Sequence, residues 1–322
     1  MYKKIYREIL KQIKKYETIV ITRHIGADPD ALASQIALRD IIINNFPTKK
    51  VYAVGMPASR FKYLGTLDKF TDEMYDNSLL IITDTPDQKR VDGVDVSRFS
   101  KKIKMDHHPF VEKFCDIECI NDKASSASQI IIDFAFKTKL KITKEAAEKL
   151  YIGVISDTNR VMFSYTTPET FDLISKLIKE TNINFTSLYE NLYIRSLKEL
   201  KFQSYIINNM IVTENKFAYI KLTDESLKEY DVDAATAGNM VNNFNYIEDF
   251  MTWAVFTEDK ANEFIRGSIR SRGPVVNEIA ASFGGGGHKL ASGVRMNDFE
   301  SVDELVKVLD NECMKYISNS EK

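Results

Sequence analysis

Thr18-Ile19-Val20-Ile21-Thr22-Arg23-His24-Ile25-Gly26-Ala27-Asp28-Pro29-Asp30-Ala31 contains a strand, a turn and the start of a helix. Its first five residues are all β-branched, which reads as a strand buried on both faces. Gly26, Asp28 and Pro29 interrupt the run, and 31–44 continues as a helix. The turn itself carries a histidine and two aspartates. A buried strand that delivers such side chains just ahead of a helix matches the crevice of an open α/β sheet, where ligands bind beyond the carboxyl ends of the strands.

The same arrangement recurs along the chain. Residues 50–54, 79–83 and 102–105 read as further strands, and helical patterns appear at 126–137 and 144–155. Strand and helix in alternation predict an α/β fold with a doubly wound, mostly parallel sheet. Ile82 leads to Asp84, and Met105 leads to Asp106-His107-His108, so three strand ends bring acids and histidines to one edge. Asp157 follows the end of the 144–155 helix. Thr167-Pro168-Glu169 is a helix start, with Thr as cap and Pro at the first helical position. Residues 186–210 read as a polar helical linker. Beyond them lies a smaller α/β unit with strands at 217–222, 250–257 and 264–269 and helices at 234–244, 274–283 and 302–316. The expected domains are therefore 1–185, 186–210 and 211–322, with the active site in the cleft between the first and last.

Composition narrows the class. With 322 residues, 44% apolar and 28% charged, the chain suits a two-domain globular protein. Its longest apolar runs are too short for a membrane span, and the first fifteen residues lack the apolar core of a signal peptide. Cytoplasm is the default expectation. Three cysteines do not make a disulfide framework or a thiolate metal site, and they read as packing residues. A net charge of −2 argues against coating long nucleic acid. The one basic island, Arg266, Arg270, Arg272, Lys289 and Arg295 against Glu278 alone, suggests a pocket for a short anion. Arg272 and Arg295 read as surface ion-pair partners.

A lone Asp-x-Asp is often a turn or cap, and a lone histidine is often a packing residue. Six such positions after separate elements read differently. His24, Asp28, Asp30, Asp84, His107 and Asp157 offer oxygen and imidazole donors without thiolate, which suits Mn²⁺ or Mg²⁺ rather than structural zinc. They are too many for one ion with an open position. They suit two divalent cations about 3.5–4 Å apart, a pair that turns water into hydroxide and clamps phosphate oxygens.

His24-x-x-x-Asp28-x-Asp30-Ala31, Asp84, Asp106-His107-His108-Pro109 and Asp157-Thr158 resemble the four signature motifs of the DHH phosphoesterase superfamily. Gly267-Ser268-Ile269-Arg270-Ser271 and the run Gly284 to Gly293 resemble its DHHA1 substrate-binding domain. Size and layout are similar to the NrnA-type branch. The resemblance implies hydrolysis of short oligonucleotides (nanoRNA, pApA) and of 3′-phosphoadenosine 5′-phosphate, with cyclic di-AMP as an alternative substrate. It also implies two cations, Mn²⁺ first with Mg²⁺ or Co²⁺ as alternatives, and a homodimer. His24, Asp28 and Asp84 would hold one ion, and Asp30, Asp84, His107 and Asp157 the other. His108 would face the scissile phosphate, and Asp106 would orient a ligand histidine. Arg270, Ser271, Gly285, Gly286, Gly287 and His288 would bind substrate, the glycines as an anion nest and Arg270 and His288 on the terminal phosphate. A non-catalytic nucleotide sensor is the alternative from another class.

Three departures from the superfamily pattern bear on substrate preference. Motif one has Ala27 and Pro29 around Asp28, so its loop is stiffer and Asp28 is biased to extended geometry. Asp87 replaces the common Asn, and Asn159 stands where Gly is usual, a residue that tolerates positive φ.

Overall fold

The computed structural model describes residues 2–320, which form two compact units that divide between Ile194 and Arg195. In the first unit α1 (Lys3–Lys15) precedes β1 (Thr18–Thr22), α2 (Pro29–Asn45), β2 (Lys50–Ala53), β3 (Ser78–Thr83), β4 (Lys101–Asp106) and β5 (Ile117–Ile120). Four helices complete it: α3 (Ala127–Thr138), α4 (Lys144–Asp157), α5 (Pro168–Thr181) and α6 (Leu188–Tyr193). The strand order is β2-β1-β3-β4-β5, all parallel, as the alternation predicts.

Alternation of side chains along the strands divides the core in two. Ile19, Ile21, Leu79, Ile81, Ile103 and Met105 pack with residues of α1 to α4. Val20, Leu80 and Ile82 face the other way and meet Val96, Phe99, Phe70 and Tyr75. On that side short 3₁₀ turns, such as Asp72–Tyr75 and Val96–Arg98, stand where a doubly wound sheet often has long helices. β3 is buried along its whole length. It lies beside β1, and the order reverses there, so the crevice at the topological switch point opens between the ends of β1 and β3.

The second unit comprises α7 (Leu197–Asn209), β6 (Ile211–Val212), β7 (Phe217–Leu222), α8 (Asp224–Glu229), α9 (Ala234–Asn239), β8 (Thr252–Asp259), β9 (Phe264–Ser271), α10 (Asn277–Ser282), β10 (Gly286–His288), β11 (Ala291–Met296) and α11 (Phe299–Ser320). Its sheet runs β10-β11-β9-β8-β7-β6, with β7 and β8 parallel and the other pairs antiparallel. Val302, Leu305, Leu309 and Cys313 of α11 cover one face. Phe202 and Ile206 of α7, Ala237 of α9 and Phe244 cover the other.

Several elements escaped the sequence reading. α1 buries Tyr6, Ile9 and Ile13 from one face, and β5 adds an edge strand. The hairpin β10–β11 turns part of the glycine run into a strand. α2 starts at Pro29, earlier than expected, because the Asp28 side chain caps it by accepting from the Ala31 N–H at 3.0 Å. The three cysteines are buried and free, as their reading as packing residues requires. Among the described residues no helix is long and apolar enough to cross a membrane.

Candidate metal centre

The ends of β1, β3 and β4 in the first unit each place one part of the centre. His24 follows β1 and is buried; its Nδ1 lies 2.9 Å from the Ile25 carbonyl. A carbonyl can only accept, so Nδ1 carries the proton and Nε2 is turned toward Asp84 Oδ2 at 3.5 Å and Asp28 Oδ2 at 3.9 Å. Asp84 follows β3 with φ of 51°, a left-handed conformation that costs a non-glycine residue energy and often marks functional sites. Its backbone N–H donates to Met105 O at 3.1 Å, tying the turn to β4.

Past β4 the two histidines separate. His107 Nε2 lies 3.3 Å from Asp84 Oδ1 and 3.5 Å from Asp157 Oδ2. His108 instead turns Nδ1 to Asp106 Oδ1 at 2.8 Å, and its backbone N–H reaches the same oxygen at 3.3 Å. Asp106 thus orients His108, rather than a histidine of the ligand set. Asp157 is the last residue of α4, and Tyr165 donates to its carbonyl at 2.7 Å.

Asp30 is buried inside the first turn of α2. Its oxygens accept from Ala127 N at 2.7 Å and Ser128 N at 2.9 Å, the free donors at the start of α3. Gly153 of α4 makes this approach feasible, since a Cβ there would come within 2.1 Å of Ser128 Oγ and 2.9 Å of Asp30 Oδ1.

Donor atoms of His24, Asp28 and Asp84 lie within 4.8 Å of one another, as do those of Asp30, His107 and Asp157. Asp84, His107 and His108 form a third such group. Asp84 turns one oxygen to each histidine, the arrangement of a bridging carboxylate. Asp84 Oδ1 and Asp157 Oδ2 are buried without a hydrogen-bond partner among the described residues. Unpaired buried carboxylate oxygens are costly, and a divalent cation among hard oxygen and imidazole donors satisfies them. These residues can hold metal ions.

Titration follows the same logic. Burial opposes charge on His24 and His107, but the Asp84 carboxylate close to each ring prevails, raising them to about 9 and about 10. Burial would raise Asp84 too, yet His107 and His24 beside it hold it well below the usual carboxylate range. Burial and the charge of Asp84 lift Asp30 to about 7. Burial and Asp30 raise Asp157 well above its ordinary value. Protons on these groups offset a concentration of negative charge that a cation would otherwise balance.

The motif departures have local explanations. Asp28 is extended, with φ of −95° and ψ of −178°, as the following proline requires. Asp87 caps the 3₁₀ turn Gln88–Arg90 by accepting from Arg90 N at 3.1 Å. Asn159 has φ of 45°, the conformation a glycine would supply. Arg160 and Val161 also have positive φ, and Thr158 Oγ1 braces this left-handed turn by accepting from Val161 N at 3.0 Å.

Sequence reasoning missed two buried cations beside the centre. Lys104 is fully buried in β4 and donates to Pro86 O at 3.2 Å, behind the Asp84 turn. Arg23 is buried against Asp92. The only signal was position: Arg23 directly follows the apolar strand 18–22, and Lys104 stands between Ile103 and Met105.

In the second unit the expected substrate residues are only partly gathered. Strand register aligns His288 with Ala291, and Ala291 with Arg270, so the two side chains share a sheet face about 10 Å apart, two strand spacings. Arg270 Nε donates to Asn242 Oδ1 at 3.0 Å. Ser271 does not join them: it is buried on the opposite face, where its hydroxyl accepts from Gly273 N at 3.1 Å. The anion nest is corrected as well. Gly284 and Gly285 donate to Ala281 O and Ala280 O, closing α10, and 286–288 pair as a strand. A cavity of about 400 Å³ lies beside Arg266, Ser268, Gly285 and Arg295. Arg272 donates to the carbonyls of Asn245 and Ile247 rather than pairing with an acid.

Residues 18–154 match the model of the DHH family N-terminal domain, and residues 214–315 match that of the DHHA1 domain. A Streptococcus mutans protein named probable bifunctional oligoribonuclease and PAP phosphatase NrnA is 35% identical over 95% of this chain and 98% of its own. The Bacillus subtilis bifunctional oligoribonuclease and PAP phosphatase NrnA is 32% identical over 96% of this chain and 99% of its own. A crystal structure of an exopolyphosphatase-related protein from Bacteroides fragilis superposes with a TM-score of 0.88 at 26% identity. It covers 99% of this chain and 98% of that one.

Proposed function

The chain belongs to the DHH phosphoesterase family with a DHHA1 domain, and from that membership we propose that it hydrolyses short oligonucleotides and 3′-phosphoadenosine 5′-phosphate. The observation that carries this reading is Asp84, a buried carboxylate with one oxygen toward His24 and the other toward His107. His24, Asp28 and Asp84 would hold one divalent cation, and Asp30, Asp84, His107 and Asp157 a second, with Mn²⁺ as the proposed metal. Bound there, the cations would lower the pKa of water and neutralise charge on the phosphate oxygens.

The remaining work falls to the chain's own groups. Asp106 accepts the Nδ1–H of His108 and so leaves Nε2 to face the substrate. In its imidazolium form, with a second proton on Nε2, His108 can then donate a proton or hydrogen bond to the leaving oxygen. The Ile25 carbonyl fixes the tautomer of His24, and the α3 N-terminus fixes Asp30. Arg270 and His288 are the proposed contacts for the free terminal phosphate, which favours short 5′-phosphorylated substrates over long strands. A homodimer is the proposed assembly, and analytical ultracentrifugation tests it.

The direct experiment assays pApA, a dinucleotide and 3′-phosphoadenosine 5′-phosphate with Mn²⁺, comparing the native chain with Asp84→Ala. Loss of both turnover and bound metal is expected. Unchanged hydrolysis and metal content would falsify the reading, and binding without turnover by the native chain would make it a sensor.

A further inference from the structure

We propose that the buried pair Arg23–Asp92 is a clamp that positions His24 and its loop for the metal, an inference that rests on His24 being a ligand. Arg23 is 1% exposed and directly precedes His24. Its guanidinium donates to Asp92, to the His24 carbonyl at 3.3 Å and to the Met56 carbonyl at 2.5 Å. Asp92 accepts in turn from Met56 N at 2.8 Å. The backbones are tied too: Asp92 N donates to Arg23 O at 2.9 Å, and Thr22 Oγ1 donates to Asp92 O at 2.6 Å. Ile25 N donates to Arg90 O at 2.7 Å, one step further along the same strip.

Three segments far apart in sequence, 22–25, 55–56 and 90–93, are thus drawn together behind one histidine. The clamp holds the His24 carbonyl, and the Ile25 N–H is tied to Arg90 O beside it, next to the carbonyl that sets the tautomer of His24. Two glycines make it feasible. A Cβ at Gly55 would lie 2.7 Å from Arg23 Nη1 and 2.9 Å from Asp92 Oδ2. A Cβ at Gly93 would lie 2.7 Å from Gly55 Cα. Burial of an ion pair gains little stability over apolar residues of similar size, so orientation is the better account of its presence. Arginine suits this role because its fork reaches three acceptors, whereas a lysine is a single point of charge.

The test is calorimetric titration of metal-free protein with Mn²⁺, with thermal melts by circular dichroism to establish folding. Arg23→Lys and Gly93→Ala are expected to melt cooperatively and bind Mn²⁺ about 10- to 100-fold more weakly, the size of effect that groups behind metal ligands produce. Should either fail to fold, Arg23→Met combined with Asp92→Leu leaves no lone buried charge and is expected to show the same weakening. Folded variants that bind Mn²⁺ within about twofold of the native chain would overturn the clamp, because a merely structural pair lowers the melting temperature without changing affinity. Asp84→Ala separates the two readings. If it too leaves binding unchanged, the metal centre itself is wrong; if it abolishes binding while the clamp variants bind normally, only the clamp is wrong.

Discussion

The ends of β1, β3 and β4 and the hairpin β10–β11 both present histidine beside charge, yet they are built differently. At the first, His24, Asp30, Asp84 and Asp106 are buried, and each is held by a backbone group or by a neighbouring ligand. At the second, His288 is exposed on a short edge strand and Arg270 is held by an asparagine. The contrast fits what each region is proposed to hold. A small cation demands donors fixed to a fraction of an ångström, whereas a phosphate with several oxygens can be met by longer side chains from more than one direction.

That contrast can be broken most severely at Asp84. Asp84→Ala removes the carboxylate shared by both histidines, so kcat should fall on the order of 10³-fold or more, with metal lost in elemental analysis. Asp106→Asn keeps the shape of the histidine support but removes its charge, and kcat should fall about 10²-fold while Mn²⁺ affinity holds. A pH–rate profile that keeps its native form in Asp106→Asn would count against a proton role for His108. The hairpin should respond in KM instead. Arg270→Ala and His288→Ala should each raise KM for pApA about 10- to 100-fold, the loss of a charge-assisted hydrogen bond, with kcat little changed. A fall in kcat with constant KM would erase the distinction between the two regions.

A further effect is electrostatic and is read through pH rather than substitution. Without metal, His24 stays protonated up to about pH 9 and His107 up to about pH 10, so a cation must displace those protons. Both shifts are upward, so the competing protons are fully present at pH 7 and are lost as the pH rises through 9 and 10. Apparent Mn²⁺ affinity should therefore climb between pH 6 and 9, by up to about tenfold per unit for each proton released. Calorimetry in two buffers of different ionisation enthalpy counts those protons. Affinity independent of pH would show that the histidines bind no metal.

Much of the first unit was legible because its signals are local. A β-branched run marks β1 and an apolar run marks β3, and acids and histidines at their ends mark the switch-point crevice. The Thr-Pro-Glu start of α5 and the positive φ of Asn159 follow from single-residue conformational preferences. β5 was not legible, since four residues with one charge carry little pattern and become a strand only by pairing with β4. The glycine run misled for a similar reason. Glycine permits a nest, but the open carbonyls at the end of α10 took the N–H groups of Gly284 and Gly285, and 286–288 became an edge strand against β11.

By itself, then, the sequence determined the alternating fold, the chemical types at the strand ends and hence the class of reaction, because periodicity and donor chemistry belong to the residues that carry them. Only the tertiary structure decided that Asp106 serves His108, that Ser271 turns inward, and that Arg23 finds Asp92 sixty-nine residues away. Those outcomes depend on register and on which distant segments share a buried space, and neither is encoded in any one stretch of chain.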